Sequence, residues 1–317
     1  MTVASGGLIQ ATDYNNWVGP SPTTTSTYFN TVWSTGGTTA GYGQTAIGTV
    51  SVGQLVGATE WSTLVTSISN TASHQGTTIT AVTGIGVGNL IVAAPLLNIP
   101  NNISNVYTGR LNAASQGTST QNAATYGSTW TTGITFTHTV TFASGDAARY
   151  FFNAGGQLKI TCTHANSTAG INLLLNNLAS NVGTVVMSAP TAGTITVASS
   201  SFNGITKVGG GGNAPTISSG SGYYAMTTSN ATVFTQTAST GPSGYLGTYI
   251  RVIAKSNGTQ GSNGDTGSQI TLYTIWDEVP DGLVAGTGST TTVMAVPPEQ
   301  TYISNSWGSI TIAGTVA

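Results

Sequence analysis

The feature that most limits the possible folds is a run of short alternating segments from residue 130 to residue 317. Polar and apolar residues alternate in these segments, as they do in strands that bury one face. Stretches rich in Gly, Asn and Ser, such as 209–213 and 257–267, separate them. Many short strands joined by such turns predict an antiparallel β-sandwich or jelly roll. The predicted strands are residues 132–142, 149–153, 157–164, 183–188, 193–200, 223–226, 232–237, 247–254, 269–278, 291–296 and 309–316.

Helical patterns occupy the first part of the sequence instead. Apolar residues from Trp61 to Ile68 are spaced i, i+3, i+4 and i+7, which predicts an amphipathic helix over residues 59–70. Weaker helices are predicted at residues 13–18 and 25–33, and residues 103–114 form either a helix or a linker.

Gly127 marks the change between the two patterns, so we predict a mainly β fold in two parts. Residues 1–126 form a smaller N-terminal region with short helices, which serves in docking and assembly. Residues 127–317 form the β-sandwich domain, in which only residues 171–178 have a helical pattern. A chain of 317 residues is long enough to bury a substantial core.

The stretch 145–159 contains the longest aromatic run of the sequence, residues 150–152. Residues 153–156, Asn-Ala-Gly-Gly, tolerate positive φ and predict a tight hairpin turn between two strands. In such a strand, Tyr150 and Phe152 would share one face because side chains alternate.

Two charged residues, Asp146 and Arg149, precede and enter this aromatic run. Because the chain contains so few charges, we predict that they pair with each other beside the aromatic strand. We also predict that Phe151 or Phe152 lies deep in the core.

Charged residues make up only 4% of the sequence, against about 25% in ordinary soluble domains. With a net charge of −2 and six basic residues, the chain lacks the basic surface expected of a protein that binds nucleic acid. Its aromatic, Val, Ile and Thr content favours ordered β structure over disorder. A subunit held inside a large assembly needs little charge repulsion to stay dispersed, and the composition suits such a subunit.

The sequence predicts neither a signal peptide nor a membrane span. The first ten residues lack a basic segment followed by a long apolar run. Residues 85–99, the most apolar part, are interrupted by Gly, Asn and Pro and are shorter than the roughly 20 residues of a spanning helix. The single cysteine, Cys162, excludes an internal disulfide and is interpreted as a small buried strand residue.

Few residues are candidates for catalysis. A glycosidase needs two carboxylates across a cleft, and only Asp277 and Glu278, with Asp281 nearby, are clustered. The same cluster would suit a calcium loop, but the spacing of calcium ligands is absent. A solvated turn after a strand is the favoured interpretation.

The three histidines, His74, His138 and His164, would bind a metal only if the fold brought them together. Polar positions on strands explain them better, because no carboxylate or cysteine is spaced beside them. We therefore assign no catalytic, cofactor-binding or metal-binding residue and predict that the protein is not an enzyme.

Residues 146–158, D-A-A-R-Y-F-F-N-A-G-G-Q-L, are similar to the D-A-R-Y-F-F-N-A-G-G-Q-I signature of virion structural proteins of tailed bacteriophages, notably cyanophage-like myoviruses. Residues 41–44, 52–61 and 74–77 resemble the family's G-Y-G-Q, I-T-A-x-x-W-N-x-L and H-x-G blocks in the same order. The resemblance covers roughly residues 10–163, and order and spacing make it fairly specific. The sequence departs from the pattern by one extra Ala at position 147 or 148 and by Ser62-Thr63, where the family tends to carry Asn.

The resemblance implies a non-enzymatic structural component of a tailed-phage virion, a tail-fibre or baseplate-associated protein exposed for host adsorption. The alternatives are a head decoration or fibre protein, and a glycan-binding or depolymerase β domain. The expected partners are other virion proteins through the N-terminal region, further copies of the chain in a homotrimer, and a host surface glycan. Nucleic acid binding and membrane insertion are not expected. The expected location is the virion, assembled in the host cytoplasm.

Overall fold

The computed structural model describes residues 10–51, 53–86, 91–165, 170–218, 222–241, 243–277 and 284–317. Strands hold 29% of the chain and helices 25%. All pairs of named strands in the described ranges are antiparallel. The chain is therefore mainly β with antiparallel sheets, as predicted.

Five helices occupy the described residues that precede position 120. The helix predicted at 59–70 is confirmed and is longer, because Gly57 precedes it and the left-handed Gly76 ends it. The helix predicted at 25–33 is reduced to its last four residues, and the one considered at 103–114 begins and ends earlier. The five helices are α1 (Ala11–Val18), α2 (Asn30–Trp33), α3 (Ala58–Gln75), α4 (Ala93–Leu96) and α5 (Ile99–Thr108).

These helices share a small apolar core. Trp61 of α3 meets the rings of Tyr14 and Trp17 of α1 edge-on, with centroids 5.1 and 5.5 Å apart. Leu64 and Ile68 are buried on the same face of α3, so the predicted amphipathic spacing is the packing face.

Thirteen strands and two further helices make up the remainder of the described chain. Most strands lie within a few residues of their predicted bounds. The helices are α6 (Gly145–Asn153) and α7 (Gly170–Val182). The strands are β1 (Thr120–Tyr126), β2 (Gly133–Thr141), β3 (Gln157–His164), β4 (Thr184–Met187), β5 (Ile195–Val197), β6 (Ser200–Phe202), β7 (Ile205–Val208), β8 (Thr216–Ile217), β9 (Ala231–Thr237), β10 (Tyr249–Ser256), β11 (Gln269–Asp277), β12 (Ser289–Val296) and β13 (Thr311–Val316).

The strands form a five-stranded sheet in the order β1-β12-β3-β4-β7 and a six-stranded sheet in the order β13-β2-β11-β10-β9-β8. Both line one hydrophobic core, which contains Phe136 of β2, Trp276 of β11 and Val293 of β12. The indole Nε1 of Trp276 donates a hydrogen bond to Thr291 Oγ1 of β12 at 3.3 Å, which joins the inner faces of the two sheets.

β1 lies before the boundary predicted at residue 127. It pairs with β12 along its whole length, from Thr120 opposite Ala295 to Tyr126 opposite Ser289. The five-stranded sheet thus begins in residues assigned to the N-terminal region, and the boundary itself stays a prediction.

The strand predicted over residues 149–153 is wrong, because these residues end the helix α6. The hydroxyl of Ser144 caps this helix by accepting a hydrogen bond from the Ala147 amide at 3.0 Å. Ala147, Ala148, Phe151 and Phe152 are all buried, a spacing that fits one face of a helix and not the alternation of a strand.

The predicted hairpin turn at residues 153–156 is also wrong. Gly155 has φ +88°, and the Gly155 and Gly156 amides donate to the carbonyl oxygens of Phe152 and Phe151 at 3.1 and 2.8 Å. A left-handed glycine with backward hydrogen bonds is a helix C-terminal motif. Residues 153–156 therefore end α6 and lead into β3.

Two smaller corrections concern the strands predicted at 223–226 and 193–200. Tyr223–Ala225 is a short 3-10 turn. Residues 193–200 contain β5 and the first residue of β6, because Ala198 and Ser199 have positive φ and turn the chain between them. The helical pattern at 171–178 is confirmed as part of α7. The last residue of the strand predicted at 269–278 lies outside the described residues.

Candidate functional site

The helix α6 bonds to segments that are distant in sequence, and the buried side chain of Arg149 makes most of these contacts. The guanidinium is fully buried. Its Nη1 donates to the Ala40 carbonyl and its Nη2 to the Thr35 carbonyl, both at 2.8 Å. These carbonyls belong to the loop after α2, so one side chain fastens the helical region to the β region.

Asp146 supplies the negative charge for this arginine. Its Oδ1 lies 2.9 Å from Arg149 Nη2 and 3.1 Å from Nε. The predicted pair is confirmed, but it forms within one helix at i, i+3 instead of beside a strand. Asp146 Oδ2 also accepts from the Gly264 amide at 3.2 Å, which attaches the loop between β10 and β11.

Asn153 makes a second connection to the loop after α2. Its Nδ2 donates to the Gly41 carbonyl at 3.1 Å. Its Oδ1 accepts from the Tyr224 hydroxyl at 2.5 Å. Arg149 in the middle of α6 and Asn153 at its end thus both bond to carbonyls of residues 35–41.

Two of the three aromatic residues of α6, Phe151 and Phe152, point into the β core. Phe151 and Phe152 are both fully buried, so the prediction that one of them lies deep in the core is confirmed for both. The ring of Phe152 stacks on Tyr223 with centroids 4.2 Å apart and 16° between the ring planes. Phe142 meets Phe151 at 5.3 Å.

Residues 41–44 form the other half of this arrangement. The buried hydroxyl of Tyr42 accepts from Gln75 Nε2 at 2.8 Å. Gln44 Nε2 donates to the Ser304 carbonyl at 2.9 Å, and its Oε1 accepts from the Ser304 amide at 2.9 Å. Gly43 has φ +66°, and a Cβ at this position would lie 2.4 Å from the Tyr150 ring. Only glycine fits this close approach.

His74 of α3 completes the contact with α6. Its Nε2 lies 3.1 Å from the Ala154 carbonyl. Because a carbonyl only accepts, this nitrogen carries the proton. Burial lowers the pKa of His74 to about 4, so the ring is neutral at neutral pH. Its ring also meets Tyr42 edge-on at 5.2 Å.

We call this arrangement the joint; it comprises the loop 35–44, His74 and Gln75 of α3, and α6. Burial raises the pKa of the Tyr42 and Tyr224 hydroxyls, so neither ionises at neutral pH. Arg149 is occupied by four hydrogen bonds. Such a joint holds chain segments in a fixed arrangement.

Of the acidic cluster at residues 277–281, the structure describes only Asp277. Asp277 accepts from the Tyr249 hydroxyl at 2.7 Å on the outer face of the six-stranded sheet. Glu278 and Asp281 lie outside the described residues. The interpretation of this cluster therefore stays a prediction.

The three histidines lie in separate places. His138 is buried on β2, while His164 of β3 contacts Ser289 Oγ at 3.0 Å and Asn172 Oδ1 at 3.1 Å. Burial lowers the pKa of both rings. In the described ranges no three His, Cys, Asp or Glu side chains are close enough to share a metal ion.

Cys162 is a free, buried residue on β3, as predicted. Burial raises the pKa of its thiol to about 12, so the reactive thiolate form is strongly disfavoured. Among the described helices, none combines the length and apolar character that crossing a bilayer requires.

Three surface hollows of about 370, 540 and 470 Å³ border the N-terminal helices. The first is lined by Leu55, Trp61 and Ile91, the second by Tyr14 and Glu60, and the third by Trp17 and Tyr107. None of the three brings two carboxylates together. Their linings mix aromatic and aliphatic side chains with hydroxyl and amide groups.

Comparison with protein-family models, with curated proteins and with solved structures gives no match to this chain. The interpretation of the joint therefore rests on its geometry and on the motif resemblance.

Proposed function

We propose that this chain is a non-enzymatic structural subunit of a tailed-phage virion, associated with the tail fibre or baseplate. The observation that carries the proposal is that three of the four sequence blocks resembling that family meet in the joint. The G-Y-G-Q block at 41–44, the block that begins with His74 and the block at 146–158 are far apart in sequence and contact one another. These blocks therefore have a shared structural role that needs no catalytic residue.

The joint suits a subunit that transmits load between two regions. It is buried, and each of its polar groups discussed above has a hydrogen-bond partner, so the helical and β regions resist separation. In the proposed arrangement the N-terminal region contacts other virion proteins, and the β region, which we propose to be a sandwich, faces outward. We further propose that the subunits assemble as a homotrimer.

Mass spectrometry of purified, nuclease-treated virions tests the proposal. We expect peptides of this chain at a stoichiometric copy number in virions of the phage that encodes it. A non-structural phage protein that is abundant in infected cells is the control, and it should be lost during purification. If the chain is lost with the control, the proposal is wrong. If the chain is retained, antibody labelling of the β region in electron micrographs separates tail fibre, baseplate and head.

A further inference from the structure

The outer face of the six-stranded sheet carries two of the six basic residues of this chain. The inward residues of β10 and β11, such as Val252 and Leu272, are fully buried in the core. The outward residues are half-buried and include aromatic, cationic and branched apolar side chains. These outward residues are Tyr249, Arg251, Ile253, Lys255, Tyr273 and Ile275, and one carboxylate, Asp277, lies on the same face at the end of β11.

Arg251 and Lys255 are the two cations of this face, and both lie against tyrosine rings. Arg251 Cζ is 4.4 Å from the centroid of Tyr249, and Lys255 Nζ is 5.7 Å from that of Tyr273. The one ion pair among the described residues is Asp146–Arg149, so neither cation has a carboxylate partner within the described structure. Arg251 Nε is buried without a hydrogen-bond partner among those residues.

The other four cations of the chain are engaged with protein oxygens. Arg110 donates to the Thr39 carbonyl, and Arg149 binds Asp146. Lys159 donates to Gln116, and Lys207 to Gly211 and Gln236. Among the described residues, two of the six basic side chains thus have no anionic partner within ion-pair distance, and both lie on the outer face of this sheet. Their charge is available to a ligand.

We propose that this face binds an acidic polysaccharide, whose carboxylates contact Arg251 and Lys255. The two cations are four residues apart on one strand, about 13 Å along the sheet, which suits a linear chain with repeated anionic groups better than a single small ion. Tyr249 and Tyr273 offer amphipathic ring surface to sugar rings. The inference rests on the proposed function, because it names the chemistry of a host-surface partner for an outward-facing β region.

Neighbouring strands supply hydroxyl groups on the same face. Thr137 of β2 lies opposite Tyr273, and Thr235 of β9 lies opposite Arg251. Both are partly exposed and can exchange hydrogen bonds with sugar hydroxyls. A ligand that contacts these side chains would lie along the strands.

Two other partners fit the same face less well. Nucleic acid binding depends on neutralising many phosphates, and this face carries two cations. Two-fold self-association through the face would place the same cations of two copies near each other, which opposes binding. Charge complementarity therefore favours an acidic glycan.

Binding of an alginate oligosaccharide to the intact protein tests the proposal, with a dextran oligosaccharide of equal length as the neutral probe. We expect saturable alginate binding that weakens as salt is raised. The Arg251→Gln, Lys255→Gln double variant should bind about tenfold more weakly, because two charge contacts are lost. A control double variant, Lys159→Gln, Lys207→Gln, removes the same charge elsewhere and should bind as the wild type does.

Three outcomes would overturn the proposal: no saturable alginate binding by the wild type, equal binding of dextran, or equal loss of affinity in the control variant. Light scattering on the same samples shows whether the Arg251, Lys255 variant loses subunits. If it dissociates and alginate does not bind, the face is a subunit interface. Failure of alginate to bind would not count against the proposed function, because the mass spectrometry of virions measures incorporation of the chain and not glycan binding.

Discussion

Replacing Arg149 with alanine is expected to lower the free energy of unfolding by about 3–5 kcal/mol, as breaking a buried ion pair does. The variant would leave the Thr35 and Ala40 carbonyls without their donors and Asp146 without its counter-charge. Two regions of the chain are joined through these contacts, so the loss acts on both. Urea unfolding followed by circular dichroism measures the change.

Two variants make this measurement specific. Arg149→Lys keeps the charge, but an ammonium group lacks the planar, forked donors that reach Asp146 and the two carbonyls at once. We therefore expect most of the loss in unfolding free energy to remain. Arg251→Ala removes a half-exposed arginine that lies on Tyr249 and should change the free energy of unfolding by less than about 1 kcal/mol. If Arg149→Ala is as stable as Arg251→Ala, Arg149 does not hold the joint.

Replacing Phe152 with alanine is expected to lower the free energy of unfolding by a similar amount, about 3–5 kcal/mol. The ring is fully buried between Phe142, Phe151 and Tyr223. Its removal leaves a cavity in a region held from both sides by α6 and the sheets, so the neighbours can fill it only in part. Thermal melts and urea unfolding both report the change.

Tyr302→Ala is the matched control for this variant. Tyr302 is also aromatic, but it is 42% exposed and lies outside the joint. We expect a change of about 1 kcal/mol or less there, since surface substitutions have small effects. Equal melting temperatures for the Phe152 and Tyr302 variants would mean that α6 lies at the surface of the fold in solution.

Most of the β strands could be predicted because alternation is a local signal, but β1, β7 and β8 lie outside every predicted strand. The predicted strand at 157–164 coincides with β3, and the one at 132–142 contains β2. These two strands each bury one face against the shared core, so their sequence pattern reflects that environment. The sequence does not record which strands are neighbours, and the order of the two sheets became known only from the structure.

α6 was missed because two local signals conflict there. Tyr150, Phe151 and Phe152 favour a strand by propensity. The Ser144 cap and the spacing of the buried residues favour a helix, and tertiary burial decides between them. A search for a serine cap followed by apolar residues at helical spacing would have found α6.

The joint was predictable only in its ion pair. The scarcity of charge indicated that Asp146 and Arg149 have a structural role, and the structure confirms their pairing. The other partners of Arg149 are backbone carbonyls at sequence separations of 109 and 114 residues. Every residue has a carbonyl, so no sequence pattern identifies these two.

Amide hydrogen exchange on the intact protein tests most directly whether the loop 35–44 and α6 form one buried joint. The Tyr42, Gly43 and Gly156 amides donate to backbone carbonyls at 2.8, 2.9 and 2.8 Å. If the joint opens only when the whole fold does, these amides should exchange as slowly as those of β2 and β11. Exchange of the loop amides at the rate of the exposed Leu55, while β2 and β11 stay protected, would contradict the claim that the joint holds the two regions together.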